Sequence, residues 1–290
     1  MQIAPGLHRI GNDIVAAYLV DAPTGVTVID AGLPGLWTEL VTELTAMGRS
    51  LSDVRGAILT HGDSDHVGFA ERLRRELGVP VYVHPDDAAR AKGGPKPKNA
   101  RPAMRLGPLL GFVAYSARRG GLRTQWLTET TDMHDGDVLD MPGSPRIIGL
   151  PGHSPGSVAV HVPALDAVFV GDGLTTRHVL TGELGPAPAP FTDEPERALA
   201  SLQALAATGA AWVLPGHGAP WGGGVAAAVA AVAAHPRPPL PPTGLVPHEG
   251  ATSSWRPRDR DGAVDGGALH RIVSRRKGRR PRRFLGRLRT

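Results

Sequence analysis

The sequence of 290 residues contains no cysteine. Disulfides and thiolate metal sites are excluded, so any metal this chain binds must sit on nitrogen and oxygen donors. Aromatic residues make up only 4% of the chain, against 41% apolar residues. Ala, Val and Leu must therefore build most of the core, which 290 residues are enough to enclose. No run of eighteen apolar residues occurs, which argues against a membrane-spanning helix. The opening stretch, MQIAPGLHRIGND, has no basic segment followed by an apolar one. No signal peptide is expected from it, and the expected compartment is the cytoplasm.

Acidic residues are scarce at one end only. Residues 251–290 hold thirteen of the 32 Lys/Arg and three of the 27 Asp/Glu, a local balance of +10. The body, 1–250, therefore carries −5, and the overall +5 belongs to the tail. Ten Arg/Lys without an acid in 271–290 can meet nucleic acid or an anionic surface. Phe284 is their only aromatic companion and no recognised nucleic-acid-binding fold surrounds them, so a solvated extension is favoured. Six prolines between His235 and Pro247 rule out regular structure there. One domain over 1–235 and a Pro-rich, then basic, disordered tail over 236–290 are expected.

Within 1–235, strand-like and helix-like runs alternate. Strands are predicted at 15–20, 26–29, 57–60, 79–84, 138–141, 146–150, 158–162, 167–170 and 211–214, from short β-branched or apolar runs bounded by turn residues. Helices are predicted at 34–47, 67–77, 194–207 and 225–234, with a shorter one at 109–117. Proline and five Lys/Arg in 92–108 mark an insertion, taken as 92–122, which is expected to act as a lid over the site. Periodicity alone supports an α/β or α+β class.

Four of these strands end alike. Ile58-Leu59-Thr60 runs into His61, Ile147–Leu150 into His153, Val168-Phe169-Val170 into Asp172, and Trp212-Val213-Leu214 into His217. A rigid strand thus delivers each imidazole or carboxylate just past its end, and small residues at the turns let the backbones approach. The densest segment is Thr60-His61-Gly62-Asp63-Ser64-Asp65-His66, with four N/O donors within six residues. Such donors suit zinc, iron or manganese. The rival explanation of this segment, a capped turn with Asp63 or Asp65 at the start of a helix, accounts for one carboxylate and for neither histidine.

The segment resembles the His-x-His-x-Asp-His motif of the metallo-β-lactamase superfamily, with Asp63 in the second His place. Val28-Ile29-Asp30-Ala31-Gly32, Pro151-Gly152-His153-Ser154, Gly171-Asp172 and Pro215-Gly216-His217-Gly218 match the family in order and spacing over about residues 5–220. The resemblance implies a four-layer αββα sandwich, an α+β fold of two mixed sheets between helices. It implies two divalent ions, zinc first, with iron or manganese as alternatives. His61, Asp63 and His153 would hold one ion, Asp65, His66 and His217 the other, and Asp172 would bridge them. A hydroxide between ions ~3.5–4 Å apart would attack the substrate, with Asp65 orienting it. Asp30 would act behind the ligands, and His178 is a candidate lining the substrate pocket.

The expected activity is hydrolysis of a small-molecule ester, thioester or lactone. A phosphodiesterase or nuclease of the same fold and a non-catalytic metal-binding module are the rival functions. Asp63 is the departure from the pattern. Either it coordinates and makes the centre less positive by about one unit, or it does not and one site is weak or empty.

Overall fold

The computed structural model describes residues 1–97 and 102–235. The tail, 236–290, and residues 98–101 of the insertion lie outside the described residues. Contacts group Met1–Pro238 into one unit, and the elements described below all belong to it.

The chain runs β1 (Gln2–Ala4), β2 (Leu7–Gly11), β3 (Ala16–Ala22), β4 (Gly25–Ile29), α1 (Trp37–Ala46), β5 (Val54–Ile58), α2 (Ser64–Val67), α3 (Ala70–Leu77), β6 (Val81–Val83), α4 (Pro85–Ala91), α5 (Leu106–Arg118) and β7 (Thr131–Asp132). It continues with β8 (Arg146–Gly149), β9 (Val158–Val162), β10 (Ala167–Gly171), β11 (Thr175–Arg177), β12 (Leu184–Ala187), α6 (Pro195–Ser201), β13 (Trp212–Pro215) and α7 (Val225–Ala234). One sheet takes β1 to β7 in sequence order, antiparallel as far as β4 and parallel from β4 to β7. The second has the order β13-β10-β9-β8, with only β13 and β10 parallel. A separate hairpin pairs β11 with β12.

The central strands read as continuous apolar runs because both of their faces are buried. Along β3, Tyr18 and Val20 enter one core while Ala17 and Leu19 enter another. Along β10, Phe169 shares the core of Tyr18, while Val168 and Val170 face a third. The shared core lies between the sheets, where Tyr18 meets Phe169 edge-on at 5.4 Å. The first sheet's other face packs against Trp37, Leu40 and Leu44 of α1 and Leu73 of α3. That of the second packs against Leu202, Leu205 and the apolar face of α7. Three cores separate four layers, giving the αββα sandwich. Among the described residues, no helix is long and apolar enough to cross a membrane.

The structure departs from the sequence expectations at several elements. The helix predicted at 67–77 is two helices, broken at Gly68 and Phe69. There the chain folds back onto the turn after β4, and a Cβ on Gly68 would lie 2.1 Å from the Gly32 carbonyl oxygen. The strand predicted at 138–141 shrinks to a single bridge between Val138 and Arg146, because Met141 N–H bonds back to Leu139 and turns the chain. The helix predicted at 194–207 tightens after Ser201 into a 3₁₀ turn over Leu202–Thr208. Helix α4 carries no signal that periodicity could use, and it proves central to the site.

Candidate metal centre

The ends of β4, β5, β10 and β13 and the loop after β8 converge at one rim. The two sheets are stitched together there. Val158 N–H donates to the Thr60 carbonyl (2.9 Å), Ala16 N–H to that of Gly216 (2.9 Å), and the Tyr18 hydroxyl to that of Pro215 (2.7 Å). A Cβ on Gly216 would lie 2.4 Å from His66 Cε1 and 2.9 Å from Asp172 Oδ1, so only glycine lets the β13 loop come this close.

Seven side chains are brought together. Asp63 Oδ2 lies 3.7 Å from His153 Nε2 and 3.9 Å from His61 Nε2. His217 Nε2 lies 3.5 Å from Asp65 Oδ2. Asp172 stands between these groups: Oδ2 is 3.2 Å from His217 Nε2 and 3.8 Å from His153 Nε2, and Oδ1 is 3.6 Å from His66 Nε2. Donor atoms within 4.8 Å of one another form three sets: His61, Asp63 and His153; Asp65, His66 and His217; His61, His66 and Asp172. All seven residues except the half-buried Asp65 are buried.

The outer partner of each imidazole fixes its tautomer. His66 Nδ1 donates to Asp30 Oδ2 (2.9 Å), and His217 Nδ1 donates to the Ile14 carbonyl. Neither oxygen can donate in return. The Thr60 hydroxyl gives its proton to Asp30 and so accepts from His61 Nδ1 (3.1 Å). The Thr192 hydroxyl gives its proton to the Ala189 carbonyl and accepts from His153 Nδ1 (3.2 Å). Every ring therefore turns Nε2 toward the centre. Nε2 of His61, His66 and His153, and Oδ1 of Asp172, are buried without a hydrogen-bond partner. Buried polar atoms left unpaired are costly, and inward-facing lone pairs of this kind fit a cation.

Electrostatics point the same way. Burial, with His66 and His153 beside it, holds His61 well below the ordinary imidazole range. Burial also opposes the charged form of His66, but Asp30, Asp172 and Asp65 outweigh it and lift this ring to about 10. His217 is buried too, yet Asp172 and Asp65 lift it to about 9. Burial would raise Asp63, but His153, His61, Arg90 and Lys96 hold it well below the usual carboxylate range. Asp172 is held low by His217, His66 and His153 against the same burial. The carboxylates draw positive charge to the Nε2 atoms, and a dication answers that demand.

Asp30 stands behind the cluster. It sits at a positive φ of 58°, which Asp tolerates better than most residues, and it also accepts from Thr60 N–H (2.8 Å). Asp63 occupies the start of α2 with no side-chain cap, so capping does not explain its presence. His178 is half-buried, and its Nδ1 accepts from Thr181 N–H (3.2 Å). Burial and then nearby His235 and His217 lower its pKa against the pull of Glu183, placing it within electrostatic reach of the cluster. From the insertion, Phe112 of α5 brings its ring centroid 6.5 Å from that of His217.

Four contributors have no motif in the sequence: Asp87 and Arg90 on α4, Lys96 and Asp193. Asp87 is fully buried and accepts from Gly62 N–H (2.7 Å), the Ser154 hydroxyl (2.7 Å) and Gly156 N–H (2.9 Å). It clamps the His61–His66 loop to the His153 loop. Arg90 Nε meets Asp63 Oδ1 and its Nη1 meets Asp193 Oδ2 (2.7 Å). Lys96 Nζ reaches Asp63 Oδ1 at 2.6 Å.

Residues 10–217 match the family model of the metallo-beta-lactamase superfamily. The chain belongs to that superfamily. It is 28% identical over 236 residues to a probable metallo-hydrolase, YflN, of Bacillus subtilis (strain 168), covering 77% of this chain and 87% of that protein. A hydroxyacylglutathione hydrolase of Cereibacter sphaeroides is 32% identical over 161 residues, 54% of this chain and 47% of that one. Among solved structures, TTHA1623 in a di-iron-bound form aligns with a TM-score of 0.51 and 28% identity, over 74% of this chain and 92% of its own. Membership in this superfamily supports a metal-dependent hydrolase, and the divalent metals its members bind are consistent with the His/Asp clusters found here.

Proposed function

We propose that this chain is a dinuclear metal-dependent hydrolase of a small ester, thioester or lactone. The position of Asp172 carries the reading, since its two oxygens face Nε2 atoms of both triads. In this assignment His61, Asp63 and His153 hold one ion, Asp65, His66 and His217 the other, and Asp172 is shared. A donor set of imidazoles and carboxylates makes zinc the first candidate, with iron or manganese as alternatives. Paired divalent ions would supply an acidified water and polarise the scissile carbonyl. The chain's own groups do the rest. Asp65, the most exposed of the seven, accepts the proton of the attacking water and orients it. Asp30 and Thr60 keep Nδ1 of His66 and His61 protonated, so that neither ring can turn away. The acyl substrate class draws support from the relative named as a hydroxyacylglutathione hydrolase. The test is elemental analysis of the purified protein, followed by a panel of ester, thioester, lactone and phosphodiester substrates. Two ions per chain with acyl hydrolysis are expected. Turnover of phosphodiesters alone would replace the acyl reading, and two ions without any turnover would make the centre structural.

Two substitutions probe the site from outside the donor set. Gly216→Ala puts a methyl group against His66 and Asp172. It is expected to remove at least one ion and to cost about 1–3 kcal/mol of stability, read by elemental analysis and thermal melting. Full metal content would show that the ring yields freely. Phe112→Ala removes the aromatic face that α5 sets beside His217. The expected outcome is a rise in KM of about tenfold for the best substrate, with metal content intact. Unchanged kinetics across the panel would make α5 a scaffold and not a lid.

A further inference from the structure

The two oxygens of Asp63 have different surroundings. Oδ2 faces His61 and His153, at 3.9 and 3.7 Å. Oδ1 faces away from them, toward Arg90 Nε and Lys96 Nζ. Arg90 is only 6% exposed, and its guanidinium spans two carboxylates, holding Asp63 with Nε and Asp193 with Nη1. Asp193 in turn donates its backbone N–H to the His153 carbonyl (3.1 Å). Arg90 therefore connects two members of one triad through a single planar group, and its fork geometry suits that task better than a point charge would.

The geometry points to Arg90, assisted by Lys96, as the positioning residue that makes Asp63 a one-oxygen metal ligand and offsets part of its negative charge. This inference rests on the dinuclear reading above. Two positive groups, Arg90 and Lys96, stand against Asp63, while Arg90 also answers Asp193 and the buried Asp87. The carboxylate thus adds less negative charge to the centre than the sequence alone suggests. The two cations offset it on the side away from the metal, and they oppose a chelating mode because Oδ1 is already taken. A buried cation pairing with Oδ1 also fixes the χ2 angle of Asp63, which aims Oδ2. Helix α4 is the element that carries this device, Arg90 lying three residues after the clamp Asp87.

Asp63→His restores the His-x-His-x-Asp-His pattern but not its surroundings. An imidazole at 63 would meet Arg90 and Lys96 with no negative charge to pair them, so this variant should bind metal worse than wild type. Replacing the partner as well, in Asp63→His with Arg90→Gln, should recover two ions per chain. Arg90→Met should weaken one of the two sites by about 10–100-fold, read by competition with a metal chelator and by elemental analysis after dialysis. Arg90→Lys, which keeps the charge but not the fork, should lie between. Should Arg90→Met not fold, the comparison of Asp63→His alone with the double variant decides. The proposal is overturned if Arg90→Met keeps two ions at wild-type affinity, or if the double variant binds no better than Asp63→His. Wild-type protein that does not take up two ions would instead remove the dinuclear reading itself.

Discussion

Asp172→Asn is expected to lower turnover by about four orders of magnitude, ~5 kcal/mol of transition-state stabilisation, and to cut metal content to one ion or fewer. The substitution keeps the shape of the side chain and removes its charge. Asp172 is buried and its oxygens approach three imidazoles from different segments, so in the proposed dinuclear assignment its negative charge would let two dications share one pocket. Single-turnover kinetics beside elemental analysis measures the effect, and a far-UV spectrum unchanged from wild type shows that the fold persists. A variant that keeps both ions and stays within tenfold of wild-type turnover would sink the assignment of Asp172 as the shared ligand.

Asp87→Ala should be the most damaging change among residues with no direct role in metal binding. It leaves Gly62 N–H and Gly156 N–H without their buried acceptor, while the Ser154 hydroxyl can turn to Ser157 Oγ (2.7 Å). At about 1–3 kcal/mol for each of the two stranded donors, less what relaxation recovers, the loss is about 2–4 kcal/mol. For a domain of this size that is a fall in Tm of about 5–10 °C. Because these donors sit beside His61, Asp63 and His153, metal affinity should fall as well, at the site those residues share. Asp87→Asn distinguishes the two effects, since its amide oxygen keeps one acceptor and the packing. Thermal melting with and without chelator is the measurement, and a Tm within about 2 °C of wild type would show that the clamp adds little.

Asp87 and Arg90 also mark the limit of what sequence reasoning reaches. His61, His153, Asp172 and His217 stand out because each follows an apolar strand, but the ligand roles of all seven residues and the αββα sandwich come from the resemblance to the metallo-β-lactamase motifs, since periodicity alone reaches only an α/β or α+β class. Periodicity does mark the strands themselves: Tyr18 and Leu19 are adjacent in sequence and enter different cores, as in a strand buried on both faces. Helix α4 obeys no such rule. It has seven residues, two adjacent acids and no apolar stripe long enough to register. The partners of its Asp87 are 25 to 69 residues away, and no spacing announces a carboxylate bonding to Gly62 and Gly156 at once. The break at Gly68 escaped for a related reason: its cause is the Gly32 backbone, a contact that exists only in three dimensions. The charge argument at Asp63 could not include Arg90 for the same reason, since Arg90 lies 27 positions downstream.

The stitching of one sheet to the other at the metal rim also has a consequence for synthesis. His61, Asp63, Asp65 and His66 leave the ribosome first, on the strand-to-helix turn after β5. His153 and Asp172 come about a hundred residues later, and His217 is the last donor of all. Neither triad can be completed by the first sheet alone, because each needs an imidazole delivered by the second. In the dinuclear reading the His61, Asp63 and His153 set can form once the loop after β8 has docked, but the set that needs His217 cannot form until β13 has docked against β10 and its following loop has passed close over His66. A chain arrested before β13 should therefore bind at most one ion and no pair.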